Sequence, residues 1–156
     1  MPLRQIIINI FLILVVLITA ACGKKIEAGS PEEVIFHLKE MGGTDRVMQL
    51  YTDETVTLMD KYRKLTGMSA ESATDVLGFI PADAEYEITG KKIEGDTALV
   101  TLRFTRHHNE NLAGYKTDIK MERDGNSWKI DRSEDLKKLV ESYEGKGAEN
   151  YLKNIR

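Results

Sequence analysis

Cysteine is almost missing from this 156-residue chain, which has one, Cys22. A single thiol allows no intrachain disulfide, so packing alone must hold the fold even in a compartment that permits such bonds. The H-E-x-x-H and C-x-x-C spacings that announce zinc are absent. So are the G-x-G-x-x-G, P-loop and nucleophile-elbow patterns, which leaves nucleotide-binding and serine-hydrolase readings with nothing to rest on. An excess of basic residues is lacking too: 22 Lys and Arg stand against 25 Asp and Glu, for a net charge of -3, which argues against nucleic acid as a partner. There is no internal repeat and no low-complexity block. The one long apolar run, residues 6–18, is shorter than the roughly 20 residues a membrane span needs, and Asn9 interrupts it.

What precedes the cysteine is the most informative stretch. Arg4 is the only charge before residue 22, residues 10–18 are apolar, and Thr19-Ala20-Ala21 leads directly into Cys22. An early positive charge, a short apolar segment and small residues at a cleavage point are the parts of a secretory signal. With the cysteine immediately behind the small pair, the segment resembles a bacterial lipoprotein lipobox. That resemblance implies a diacylglyceryl group on the Cys22 thiol, cleavage in front of it and acylation of the new amine. Acyl chains contribute about 0.8 kcal/mol per buried CH₂, so two or three of them anchor a protein without a spanning helix. Retention as a transmembrane anchor, or removal as an ordinary signal, are the alternatives. Gly23 is not the aspartate associated with inner-membrane retention, so in a two-membrane envelope the expected place is the outer membrane, facing the periplasm.

Cleavage before Cys22 leaves 135 residues, the size of one ordinary domain, with 21 basic residues against 25 acidic ones. The expected layout is a signal over 1–21, the lipidated cysteine and tether over 22–29, a domain over 30–131 and a helical extension over 132–156. Lys24 and Lys25 in the tether either approach anionic head groups or are simply solvated.

Ser30-Pro31-Glu32-Glu33 reads as a helix start, with an N-cap serine, proline at the first position and a capping-box glutamate. Val34, Ile35, Leu38 and Met41 follow at helical spacing, and Gly42-Gly43 ends the helix. A second helical stretch is expected from Thr44 or Asp45 with Val47, Met48 and Tyr51. A third is expected after Thr52, with Val56, Met59, Tyr62 and Leu65 on one face and Gly67 as its stop. A short helix over 69–79 is a further expectation.

At Tyr86 the period changes from helix to strand. Tyr86, Ile88 and Ile93 flank a break at Gly90, and Glu94-Gly95-Asp96 reads as a tight reversal. Ala98, Val100, Leu102 and Phe104 then alternate with Thr97, Thr101, Arg103 and Thr105. Tyr115, Thr117, Ile119 and Met121 oppose Lys116, Asp118, Lys120 and Glu122. Asp124-Gly125-Asn126 turns into Trp128-Lys129-Ile130, completing three or four hairpin-linked antiparallel strands. Beyond Asp131, Ser133 is expected to cap a helix carrying Leu136, Leu139, Val140 and Tyr143, with Gly145 and Gly147 interrupting it.

The order of helices first and then a strand meander defines an α+β class. The pieces Ser30-Pro31-Glu32-Glu33-Val34, the stretch 88–100 with its Gly-Asp turn and the Trp-Lys-Ile-Asp strand end together resemble small lipid-anchored proteins of the NTF2-like, cystatin-like superfamily. The resemblance covers roughly residues 30–131. It implies a curved antiparallel sheet wrapped round the N-terminal helices as a cone, with a cavity that in different members serves isomerase-like or dehydratase-like enzymes or plain binding modules. The C-terminal helix departs from that pattern by extending past the usual last strand.

Chemistry-bearing residues are sparse. His107-His108-Asn109-Glu110 is the nearest approach to a metal cluster, yet neighbouring side chains in extended backbone point to opposite faces, so a solvated loop is expected and no metal. His37, with Asp45 along the chain, is the one acid-base candidate, set against a helix-edge position. Asp118, opposite Tyr115 and Ile119 in the alternation, should point away from the core. Tyr86, Tyr115 and Trp128 either line a ligand cavity with His37 or fill the core. Met41, Met48, Met59 and Met121 fall at core-filling positions. The expectation is a lipid-anchored envelope lipoprotein, without cofactor, that binds a protein partner or a small apolar ligand. A cavity enzyme and a structural envelope component are the alternatives.

Overall fold

The computed structural model describes residues 26–70, 72, 80, 84–107 and 112–154, the side chains of 146–154 excepted. The signal segment and Cys22 lie outside the described residues, as does most of the helix expected over 69–79.

Helix α1, Pro31–Met41, begins as its sequence dictates. The Ser30 hydroxyl accepts a hydrogen bond from the Glu33 N–H at 3.3 Å, and the Glu33 carboxylate accepts from the Gly29 N–H at 2.7 Å, one residue earlier than a strict capping box. Its buried stripe is Pro31, Val34, Ile35 and Leu38. After Gly42-Gly43 the second helical stretch is 3-10, Asp45–Leu50, and it buries Val47 and Leu50. Helix α2, Asp53–Thr66, is capped by the Thr52 side chain and stopped by Gly67 with φ at 69°, the left-handed conformation a glycine supplies at little cost.

The stripe of α2 that faces the core differs from the expected one. Met59 is buried and Val56 and Tyr62 partly so, but Leu65 is 43% exposed, and Thr55 is completely buried. The hydroxyl of Thr55 accepts hydrogen bonds from the Arg132 N–H at 3.0 Å and from the Thr52 hydroxyl at 2.8 Å. A polar side chain takes a core position because it satisfies a backbone donor there.

The sheet is a four-stranded antiparallel meander in the order β1-β2-β3-β4: Glu85–Glu94, Thr97–Arg106, Lys116–Asp124 and Ser127–Ile130. Alternation in β2 holds as expected, with Ala98, Val100, Leu102 and Phe104 all buried. The anticipated break at Gly90 is instead a bulge inside a continuous β1, where register slips between Ile88 and Gly90. A Cβ at Gly90 would stand 3.3 Å from the Thr101 hydroxyl, a tight contact that the Thr101 side chain would have to yield to. The sheet is not strongly curled, unlike the expected cone wall. Val34, Ile35 and Leu38 of α1 occupy its inner face together with Leu102, Ile119, Met121 and Ile130.

Short β4 is buried at every position and is gripped on its outer edge. Its Trp128 N–H donates to the Ala28 carbonyl at 2.9 Å, and its Ile130 carbonyl accepts from the Thr52 N–H at 3.0 Å, beside a parallel bridge between Tyr51 and Ile130.

Helix α3, Ser133–Asn154, lies against α2. It runs through Gly145 and Gly147 without interruption; each glycine costs about 1 kcal/mol relative to alanine but does not break a helix. Its start is tied by Asp131 rather than by Ser133, since the Asp131 carboxylate accepts from the Ser133 N–H at 2.9 Å. Leu136 and Val140 are buried, and ion pairs Lys137–Glu54 at 2.7 Å and Lys61–Glu144 at 2.9 Å flank the contact with α2.

Candidate functional site

The four side chains nominated for a cavity have separate surroundings. His37 lies on α1 with its Nδ1 3.4 Å from the Glu40 carboxylate and its ring edge-on to Phe36. Tyr86, on β1, is half-buried beneath the Lys39 ammonium, 5.5 Å from its ring centre, and burial raises its phenol pKa. Tyr115 stands one residue before β3, at the end of the sheet, and is 56% exposed. Trp128 is buried in the core, with the Arg123 guanidinium 5.2 Å from its ring. The partners are different for each: Glu40 and Phe36 for His37, Lys39 for Tyr86, and Arg123 for Trp128. Asp118 points to the outer face, as its alternation implies, and accepts a hydrogen bond from the Thr101 hydroxyl at 2.6 Å. His107 is edge-on to Phe104, while His108, Asn109 and Glu110 lie outside the described residues. Among the described residues no group of three or more His, Cys, Asp or Glu side chains is arranged to hold a metal.

The groove with the densest chemistry lies elsewhere. Because β4 is short and pairs only with Met121–Asp124, the chain leaves the sheet at Asp131 and opens a trough of about 240 Å³ beside the first half of β3. Thr117, Asp118, Ile119 and Lys120 form one wall, and Ile130, Asp131, Arg132 and Asp135 form the other. Lys120 is the hub. Its ammonium lies 2.8 Å from the Asp131 carboxylate, 3.6 Å from Glu134 and 3.7 Å from Glu122. Burial pushes the Asp131 carboxyl up, but the hydrogen bonds from Lys120 and the Ser133 N–H outweigh it and hold the group below its ordinary value. The hydrogen bond to Asp131 raises Lys120 in turn.

An arrangement of this kind binds charge. It supplies a lysine, an arginine and three aspartates, with an isoleucine in each wall. The sequence hid this hub because Lys120 and Asp131 are eleven residues apart and meet only where β4 ends. The usable signal was Asp131 two residues ahead of Ser133, an aspartate placed to cap a helix.

The Asp131–Lys120 pair has a pH signature. A carboxyl held below its free value of 3.8 contributes stability that is complete above that pH and is lost as pH falls through the folded value. A lysine held above 10.5 contributes below that pH and loses its contribution as pH rises through the folded value. Asp131→Asn should therefore cost about 1–2 kcal/mol near neutrality, since Lys120 stays well solvated. The difference in melting temperature from the unsubstituted protein should shrink in acid below the free carboxyl value. Thermal melts across the acid range measure this, and a difference that does not change with pH would remove the charge argument.

The chain matches no family model, no curated protein and no solved structure. No helix among the described residues is long and apolar enough to cross a membrane, which leaves lipid anchoring untouched.

Proposed function

We propose that this chain is a lipid-anchored lipoprotein of the cell envelope, a binding module that carries no cofactor. The observation that carries the reading is the position of Cys22, the sole cysteine, directly behind Ala20-Ala21 at the end of the apolar run. Support comes from the opposite end of the tether, where the Ala28 carbonyl is hydrogen-bonded to β4. Six residues separate Cys22 from that point, a reach of about 20 Å at 3.3–3.6 Å per residue, so the domain would ride close to the bilayer. In an envelope with two membranes, Gly23 favours the outer one.

The charged trough beside β3 favours a protein partner over a small apolar ligand as the bound species. The isomerase-like or dehydratase-like alternative draws no support from His37, Tyr86, Tyr115 or Trp128, whose contacts do not converge. Helices followed by a four-strand meander remain the part of an NTF2-like plan that this domain follows, and we read the fold as a relative of that plan with α3 added.

Metabolic labelling with a clickable fatty acid tests the anchor. The unsubstituted chain should be labelled and should sediment with membranes through an alkaline wash. Cys22→Ser should lose the label completely and keep its full-length mass. Labelling that survives Cys22→Ser would sink the proposal.

A further inference from the structure

At the other edge of the sheet, among the described residues, β1 has no strand beside it along its ten residues. Which backbone groups β1 presents there follows from its neighbours. The Phe104 N–H donates to the Tyr115 carbonyl at 3.0 Å, and the Phe104 carbonyl accepts from the Gly114 N–H at 2.7 Å, so Phe104 turns its backbone groups toward β3. By alternation Ala98, Val100 and Leu102 do the same, and Thr97, Leu99, Thr101 and Arg103 serve β1. Their partners there are Glu94, Lys92, Gly90 and Glu87. The N–H and C=O groups of Tyr86, Ile88, Lys91 and Ile93 are left facing outward.

The bulge makes this set unusual. It switches the outward residues from even to odd numbers, so the set is symmetric about the peptide link between Thr89 and Gly90. An antiparallel copy of the same strand, laid alongside by a two-fold axis at that link, sets Tyr86 opposite Ile93 and Ile88 opposite Lys91. Each is a hydrogen-bonded pair using both residues' donors and acceptors. On the outer face the same register sets Glu87 opposite Lys92, a complementary pair. The outward backbone groups of Tyr86, Ile88, Lys91 and Ile93 all find partners in this register.

On the inner face of the edge, Ile88 and Lys91 flank the place where the axis would pass. Glu32 of α1 is paired with Lys91, and Lys39 of α1 stands over Tyr86. Phe36 shares their stripe at helical spacing and so lies above the middle of β1. It is 56% exposed, and Ile88 and Ile93 are 39% and 47% exposed. Three large apolar side chains thus stand at an unpaired edge, beside a backbone able to accept its own copy.

We propose that β1 is the interface of a homodimer in which two sheets join edge to edge, in the Glu87–Lys92 register, into one eight-stranded antiparallel sheet with Phe36 and Ile88 of both copies packed at the axis. The occupant is a second copy rather than a foreign strand, because one symmetry operation pairs the outward hydrogen-bonding residues with one another, Glu87 with Lys92 and Tyr86 with Ile93. The inference stands on the edge alone and does not depend on the anchor.

Disulfide trapping reads the register directly. Glu87 and Lys92 face each other as a non-hydrogen-bonded pair, with Cα atoms about 4.5 Å apart, within disulfide range. In the full-length chain in detergent, with Cys22→Ala, the double variant Glu87→Cys plus Lys92→Cys should oxidise to a covalent dimer that reductant releases. Either cysteine alone should give no covalent dimer, and adding Ile88→Lys should abolish the cross-linked band while the circular dichroism spectrum is retained. Failure of the double variant to cross-link, or equal cross-linking by a single variant, overturns the register. Sedimentation equilibrium of the unsubstituted chain in density-matched detergent decides the interface independently of any cysteine. A monomer at the highest soluble concentration overturns it, and self-association that Phe36→Ser abolishes supports it.

Discussion

Trp128→Ala should lower the stability of the protein by about 3–5 kcal/mol, the range for truncating a large aromatic in a core. Trp128 is only 4% exposed, its ring carries the Arg123 guanidinium, and it lies in a strand buried at every position. Nothing adjacent is placed to collapse into the void, since β4 is fixed on one side by β3 and on the other by the Ala28 carbonyl. A loss of this size consumes much of the roughly 5–15 kcal/mol that a domain has in total. Urea unfolding followed by circular dichroism is the measurement, because the variant has no tryptophan to report fluorescence. The midpoint should move and the slope should not. A shift under about 1 kcal/mol would place the indole outside the core.

Leu136→Ala should cost about 2–5 kcal/mol, while Tyr143→Ala, two turns further along the same helix, should cost about 1 kcal/mol. The contrast comes from burial. Leu136 is completely covered and belongs to the central cluster, whereas Tyr143 is 42% exposed and meets Tyr62 edge-on at 5.4 Å. The first two turns of α3 thus act as core, whereas Tyr143 and Glu144 meet α2 through a ring contact with Tyr62 and an exposed ion pair with Lys61 that is worth little. Thermal melts of the two variants measure the ratio. Equal losses would mean that the helix docks as a uniform unit.

Local chemistry was the part of this fold that could be read ahead. Ser30 and Thr52 cap because a hydroxyl three residues before an N–H is a short-range relation, and Ala98, Val100, Leu102 and Phe104 share a face because strand geometry has period two. The features that escaped are relations between distant segments. Thr55 is not part of the expected apolar face of α2, yet it is buried there because its hydroxyl satisfies the distant Arg132 N–H. Gly90 looked like the end of a strand, but its absent side chain lets β1 pass close to Thr101. Tyr115 belongs by number to the alternation of β3, yet it stands one residue before the strand, at the end of the sheet, and its side chain is exposed. The charged trough was hidden for the same reason, because it exists only where a four-residue strand ends early.

The grip on β4 also sets an order of events for the chain. Ala28 and Thr52 find their strand partners at Trp128 and Ile130, far along the sequence, so neither segment can be locked until nearly the whole polypeptide is present. Such long loops close late, and contacts of this kind slow folding. A nascent chain lacking its last thirty residues has no fourth strand to clasp its beginning and its middle. Such a chain cannot yet be clasped at these two points, and β4, the last strand to be made, is the element that shuts the domain.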